Sequence, residues 1–219
     1  MATRNRGKQA EFRVLLAGLG RELLFPDDLG LTEDPAEDGL EEFDTFAANA
    51  TAKAHWFARR SGLTTLADDS GVVVDALHGA PGVHSRRFAG QVGPDHVVAA
   101  ANNAELLRRL ESVAEADRSA RYYGVLVLSE WDVNSGEFRD LVAEGVTEGR
   151  ILTASRGTGG FGYDPLFWSS ELHASFGEVS AAVKDTVSHR ARAAAVLVDI
   201  IRRGERLLDG IACHHSGGP

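Results

Sequence analysis

The sequence predicts an α/β or α+β protein built around a sheet, and three observations predict it. Apolar residues recur at helical spacing over 7–19, 45–62, 94–110 and 188–208. Short apolar runs bounded by turn residues occupy 63–67, 72–77, 122–131 and 139–146. Helical and strand-like segments interleave along the chain, so the helices must pack on the sheet. With 219 residues, 43% of them hydrophobic, the chain can bury one sizeable core.

Each element follows from local chemistry. In the first helix the apolar positions are Phe12, Val14, Leu15, Leu16 and Leu19, and Gly18 and Gly20 offer a stop. Residues 26–44 are rich in acid, Gly and Pro and read as a loop. Residues 45–62 are Ala-rich, with Phe46, Ala50, Ala54 and Phe57 on one face of a long helix. The runs at 63–67 and 72–77 are interrupted by Asp68-Asp69-Ser70-Gly71, which reads as two strands flanking a turn with two carboxylates. Residues 94–110 are helical, and 122–131 pairs with 139–146 around the Asn134-Ser135-Gly136 turn. A Gly-rich loop spans 157–164, and an amphipathic helix over 188–208 closes the chain. A single domain is expected over 1–208, with 209–219 a tail lacking fixed structure, to which the terminal Cys213-His214-His215 cluster adds no function.

A formal net charge of −9 argues against nonspecific nucleic-acid binding and against attraction to an anionic membrane. A small anionic substrate would need a local cluster of cations or a bridging metal. Cys213 is the only cysteine, which excludes an intrachain disulfide and a paired-cysteine zinc site and fits a reducing, cytoplasmic setting. The opening MATRNRGKQAEF lacks the apolar core of a signal peptide, and no later run approaches the ~20 apolar residues that span a bilayer.

Several groups carry possible chemistry. Thr3, Asn5 and Lys8 precede or open the first helix, where free N–H groups and the positive dipole end favour a phosphate. The same residues also read as a plain helix cap followed by a solvated lysine. Asp68 and Asp69, with Glu41 and Glu42 upstream, supply the hard oxygen ligands that suit magnesium, and one carboxylate is left to deprotonate a water; the alternative is a turn whose side chains cap its own backbone. The segment 159–165 joins glycines that permit close approach to Phe161 and Tyr163, able to stack on a base or simply to fill a core. Lys184, Ser188, His189 and Arg190 gather cations and donors at the start of the last helix, suited to a phosphate or a purine carbonyl, although His189 taken singly reads as structural.

Five strings occur in order: TRNRGK at 3–8, FAANATAKA at 46–54, ADDSGVVVDALHGAPGVHSRRFAG at 67–90, GGFGYDPLF at 159–167 and KDTVSHRARA at 184–193. With these the chain resembles the Ham1/RdgB family of inosine and xanthosine triphosphate pyrophosphatases from Thr3 to about Val198. The resemblance implies an elongated mixed α/β fold, with a long central mixed sheet, two lobes, an active cleft between them and a homodimeric assembly. It implies hydrolysis of deaminated purine nucleotides such as dITP, ITP and XTP to the monophosphate and pyrophosphate, with Mg²⁺. Thr3, Arg4, Asn5, Arg6, Gly7, Lys8 and Lys53 would hold the triphosphate. Asp69 would be the general base, and Glu41 with Asp68 or Asp69 would bind the metal. Ser70, Phe161, Gly162, Tyr163, Asp164, Lys184, His189 and Arg190 would complete the nucleotide pocket.

The chain departs from the family pattern at four places. Only Met1 and Ala2 precede the Thr-x-Asn-x-x-Lys motif where relatives carry an apolar strand, which implies a displaced start or a sheet one strand short. Arg4 replaces a common Gly, Arg86 a small residue, and Val183 a Glu. Glu41-Glu42-Phe43 stands for Glu-Thr-Gly, so Glu42 is an alternative ligand to Glu41. Two other functions fit the same residues: a pyrophosphatase for other modified bases, including pyrimidines as in the Maf-like proteins, and a nucleotide-binding sensor or relic without catalysis.

Overall fold

The computed structural model describes residues 1–204 and the backbone of Leu208–Asp209. Asn5 caps α1 (Arg6–Leu15), its side chain accepting from the Lys8 amide. The loop expected at 26–44 contains a 3₁₀ segment, Pro35–Glu41, opened by a capping box on Asp34. Thr45 caps α2 (Phe46–Ser61), which stops at Gly62 with a left-handed φ of 67°. After β1 (Thr65–Val74) come α3 (Asp95–Arg109) and the β2 (Ser119–Asp132) and β3 (Glu137–Ile151) hairpin. The short strands β4 (Phe167–Ser169) and β5 (Ala174–Ser175), the single turn α4 (Ala181–Lys184), α5 (His189–Arg202) and β6 (Leu208–Asp209) complete the order. The helix expected to reach 208 thus ends at Arg202, and the expected tail beyond 209 lies outside the described residues.

The carboxylate turn does not form. Asp68 to Gly71 lie inside β1, in register with Tyr123 to Leu126 of β2. A ten-residue partner ladder outweighs the weak strand preference of Asp and Gly. The strands run in the order β1-β2-β3-β4-β5, with β6 also on β3, and every pairing is antiparallel. The sheet is therefore not mixed in strand direction, although the mixed α/β class stands. The backbone of Ala2 lies on the outer edge of β1, its N–H donating to the Leu66 carbonyl at 2.7 Å.

Alternation along β2 sends Val125 and Val127 to the α2 face, where they meet Ala50, Ala54 and Phe57. Leu126 points to the other face and packs with Phe12 of α1 and Ala193, Ala194 and Leu197 of α5. A third cluster, with Val72, Val74, Tyr122, Leu106, Phe167 and Phe176, fills the opposite end of β1. Asp68, Asp69 and Ser70 sit between these cores.

A row of small residues brings α5 onto the sheet beside them. Ser70 faces Gly124, and Gly124 faces Gly145. A Cβ on Gly145 would lie 2.0 Å from the His189 carbonyl oxygen, and one on Gly124 would lie 2.9 Å from His189 Cδ2. Only glycine lets the first turn of α5 press this closely, which fixes His189 and Arg190 next to β1.

Candidate active site

Asp68 and Asp69 are both buried but leave β1 on opposite sides. On the α1/α5 side, Asp68 Oδ2 lies 2.6 Å from Lys8 Nζ and 3.5 Å from Arg190 Nε, and it accepts from Ser70 Oγ at 3.2 Å. Burial alone would raise the Asp68 pKa, but Lys8 and Arg190 hold it well below the usual carboxylate range. Its Oδ1 is buried without a hydrogen-bond partner.

On the α2 side, Asp69 Oδ1 accepts from Lys53 Nζ at 3.2 Å and Oδ2 from Asn49 Nδ2 at 2.9 Å. Lys53 also donates to Glu41 Oε1 and to the Asp68 carbonyl, each at 2.8 Å. Burial raises the Asp69 pKa against the opposing pull of Lys53 and Lys8, with Glu41 adding to the rise. Glu41 goes the other way: burial would raise it, and Lys53 lowers it. Glu42 is exposed and does not join the cluster, so the nearer acid is Glu41.

The phosphate-loop candidates divide. The Thr3 hydroxyl accepts from the Asn5 amide at 3.2 Å, and the Asn5 carboxamide caps Lys8 N at 2.9 Å while donating to Asp95 at 3.2 Å. A Cβ on Gly7 would lie 2.9 Å from Phe161 Cδ1, so the motif packs against the Gly-rich loop. Arg6 is exposed on the first turn of α1. Arg4 points away: its guanidinium binds Glu37 at 3.0 Å, Asp27 at 2.9 Å and the Leu31 carbonyl at 2.9 Å. That charge anchors the acidic 27–37 segment.

The third group joins α1, α4, α5 and the Gly-rich loop. Lys184 Nζ lies 2.6 Å from Asp164 Oδ2 and 2.9 Å from Glu11 Oε1. Arg190 reaches Glu11 Oε2 and Ser70 Oγ, at 2.9 and 2.8 Å. Asp164 also accepts from the Phe161 amide and from Tyr122 OH, while Gly162 adopts φ 62° and Tyr163 donates to the Ser85 carbonyl at 2.8 Å. Both cations lie over the Phe161 ring, at 4.9 Å for Lys184 and 5.3 Å for Arg190. His189 is buried, stacks on Tyr122 at a centroid distance of 4.7 Å, and has no hydrogen-bond partner on either ring nitrogen. Desolvation, reinforced by Arg190, pushes its pKa well down and keeps the ring neutral.

Sequence reasoning missed Glu11 and Asn49 as members of the site. Each had a spacing signal: Glu11 is three residues after Lys8, and Asn49 four before Lys53, so each shares a helix face with a lysine already singled out.

The Ham1 family profile matches residues 1–200. This chain belongs to the Ham1 family. Among its relatives, the dITP/XTP pyrophosphatase of Thioalkalivibrio sulfidiphilus is 42% identical over 199 residues, 91% of this chain and 95% of that one. The protein of the same name from Ralstonia nicotianae is 45% identical over 202 residues, 92% of this chain and 95% of that one. A Ham1 protein structure from Coxiella burnetii superposes with a TM-score of 0.77 at 34% identity, covering 92% of this chain and 96% of the other. In this Ham1 protein the charged core draws its acids and bases from α1, the 35–41 segment, α2, β1, the 157–164 loop, α4 and α5 at once.

A magnesium ion can be tested against these donors. Among the described residues no three acidic, His or Cys side chains form a ready-made metal cluster. Magnesium needs no such cage, since one or two carboxylates plus substrate phosphates and waters suffice. Glu41 and Asp69 already share one cation, the Lys53 ammonium, and Asp68 Oδ1, on the other side of the strand, is a buried oxygen without a partner. The donor set fits the ion.

Proposed function

We propose that this chain hydrolyses nucleoside triphosphates to the monophosphate and pyrophosphate, acting on deaminated purine nucleotides such as dITP and XTP. The observation that supports it best is the adjacency of Asp69, raised in pKa and bound to Lys53, to Asp68, which pairs with Lys8 next to the Gly7 that packs on Phe161.

Asp69 is the general base, because burial moves its pKa toward the range where a carboxylate accepts a proton from water. It takes that proton as the water oxygen bonds to the α-phosphorus and the bond to the bridging oxygen of the β-phosphate breaks. Lys8 and Lys53 face the charge that builds on the departing pyrophosphate. Thr3 and Asn5 set the N-terminus of α1 towards the phosphates. Glu41, with Asp69 or Asp68, would hold Mg²⁺, which when bound offsets negative charge on the phosphate oxygens.

The base lies against Phe161, with His189, Lys184 and Arg190 around its carbonyl edge. The unpartnered ring nitrogens of neutral His189 support this, since a buried polar atom without a partner is costly until a ligand supplies one. Donors aimed at a 6-oxo group are left unpaired by adenine's amino group, and sites built this way discriminate by about 10⁴ or more. The same reading takes the cores on either side of Asp68–Ser70 as two lobes of one domain and includes a homodimer, a cytoplasmic setting and no nucleic-acid partner. The charge of −9 supports the last of these, and no helix among the described residues is long and apolar enough to cross a membrane.

A pyrophosphate-release assay over dITP, XTP, dGTP, dATP and modified pyrimidine triphosphates, with and without Mg²⁺, tests the proposal. Preferential release from dITP and XTP that requires Mg²⁺ is expected. Tight dITP binding without release would put a sensor in its place, and preference for pyrimidines would move the substrate class.

A further inference from the structure

Two arginines outside the groups already described flank the phosphate motif from the opposite wall. Arg86 NH2 lies 2.9 Å from Asp95 Oδ1, and the other oxygen of that carboxylate accepts from Asn5 Nδ2 at 3.2 Å. Arg87 donates to the Glu41 carbonyl oxygen, and the Glu41 carboxylate in turn accepts from Lys53. Consecutive residues thus reach, through one acidic residue each, the capping residue of α1 and the lysine of α2.

Their backbone is fixed. The buried Asn102 side chain donates to the carbonyls of Ser85 and Arg86 and accepts from the Ala89 amide, and Tyr163 OH donates to the Ser85 carbonyl. Their side chains are largely open to solvent: Arg86 is 60% exposed and Arg87 43%.

The energetic contrast decides which cations an incoming polyphosphate recruits. Removing one member of a buried pair, as with Lys8–Asp68, costs about 3–5 kcal/mol. Exposed pairs such as Arg86–Asp95 are worth only about 0–1 kcal/mol, so their guanidiniums exchange a carboxylate for a phosphate at little cost. The planar fork also suits phosphate oxygens bidentately.

We infer that Arg86 and Arg87 form a second cationic arm that grips the terminal phosphates of the substrate and retains the pyrophosphate before its release. The inference rests on the pyrophosphatase reading and adds residues to it.

Calorimetric titration of the whole chain with inorganic pyrophosphate, and separately with inosine monophosphate, tests it in Arg86→Gln, Arg87→Gln and the double variant. Each substitution is expected to weaken pyrophosphate binding about tenfold or more, as befits loss of a charge-assisted hydrogen bond, and to leave monophosphate binding unchanged. Arg86→Lys should recover part of the loss, since charge returns without the fork. Pyrophosphate binding unchanged in the double variant, or absent from the parent chain, overturns the arm. An equal loss of monophosphate binding also overturns it, because the segment would then only maintain the shape of the pocket. If the parent chain releases no pyrophosphate from dITP while the arginines still govern pyrophosphate affinity, the arm stands and the catalytic reading falls. Turnover of dITP with arginine-independent pyrophosphate binding gives the reverse.

Discussion

Asp68 and Asp69 are neighbours in β1 yet face opposite sides of the sheet, and their surroundings drive their pKa values in opposite directions. Asp68 is committed to two cations, Lys8 and Arg190. Asp69, though bound to Lys53, stays the more basic of the two because burial outweighs that pairing. One carboxylate builds the site and the other is left for chemistry.

Substituting the two aspartates should therefore give unlike defects. Asp69→Asn is expected to cut turnover of dITP by about 10²–10⁴, the usual contribution of a general base, with thermal stability unchanged or higher. Asp68→Asn leaves Lys8 and Arg190 short of a buried counter-charge and should cost about 3–5 kcal/mol in stability. Chemical denaturation of both variants beside pyrophosphate release measures the split. Near-normal turnover in Asp69→Asn would remove it from the base role.

The same contrast sets two pH dependences. Asp68, Glu11 and Glu41 all have folded pKa values below their unfolded ones, in each case because burial is overcome by neighbouring cations. Their stabilisation is present above the unfolded values of about 3.9–4.3 and is lost as pH falls through and below that range. Asp69 is raised, so its ionised form is disfavoured by folding and the acid limb of kcat should lie above the ordinary aspartate range. Unfolding temperature and kcat followed together down the pH scale should show activity failing before the fold does. Simultaneous loss would contradict the opposite shifts.

Gly7 ties the phosphate motif to the base loop. A Cβ there would meet Phe161 Cδ1 at 2.9 Å and Cε1 at 3.1 Å. In Gly7→Ala the gain in helix propensity, up to about 1 kcal/mol, opposes an overpacking cost of about 1–3 kcal/mol, so stability should fall by no more than roughly 3 kcal/mol. The displaced ring is the one beneath Lys184 and Arg190, and KM for dITP should rise while kcat changes less. A variant with unaltered KM would show that the ring position does not matter to the base.

How far the sequence reaches is visible in β1 itself. The apolar runs on either side of Asp68–Gly71 announce strands, but the four residues between them look like a turn by every local criterion. They are held straight by Tyr123 to Leu126, more than fifty residues away, and local propensity contains no trace of that ladder. The helices were legible because their caps, Asn5, Thr45 and Ser188, lie next to the apolar periodicity they start. The site was legible as separate motifs, whereas the ion-pair partners that join them, Lys8 to Asp68 and Glu11 to Lys184, depend on the packing of α1 against α5. Arg4 shows the converse limit, since membership of a motif did not reveal that Glu37 and Asp27 claim its charge.

The final prediction concerns Gly145, a residue far in sequence from every proposed catalytic group. A Cβ there would sit 2.0 Å from the His189 carbonyl oxygen and 2.6 Å from the Ala193 amide nitrogen, both backbone atoms of α5 that no side-chain rotation can move. Gly145→Ala must lift the start of the helix off β3, loosening Ala193, Ala194 and Leu197 from Leu126 and Ala143 in the same core. Overpacking of this kind costs about 1–3 kcal/mol and occasionally more. Because Arg190 rides on the same turn, its hydrogen bond to Ser70 and its ion pairs with Glu11 and Asp68 should loosen as well. Binding of dITP is therefore expected to weaken along with the unfolding temperature, although Gly145 touches no nucleotide. If Gly145→Ala lowered stability while leaving dITP affinity intact, the placement of His189 and Arg190 would not depend on the glycine row that seats α5 against the sheet.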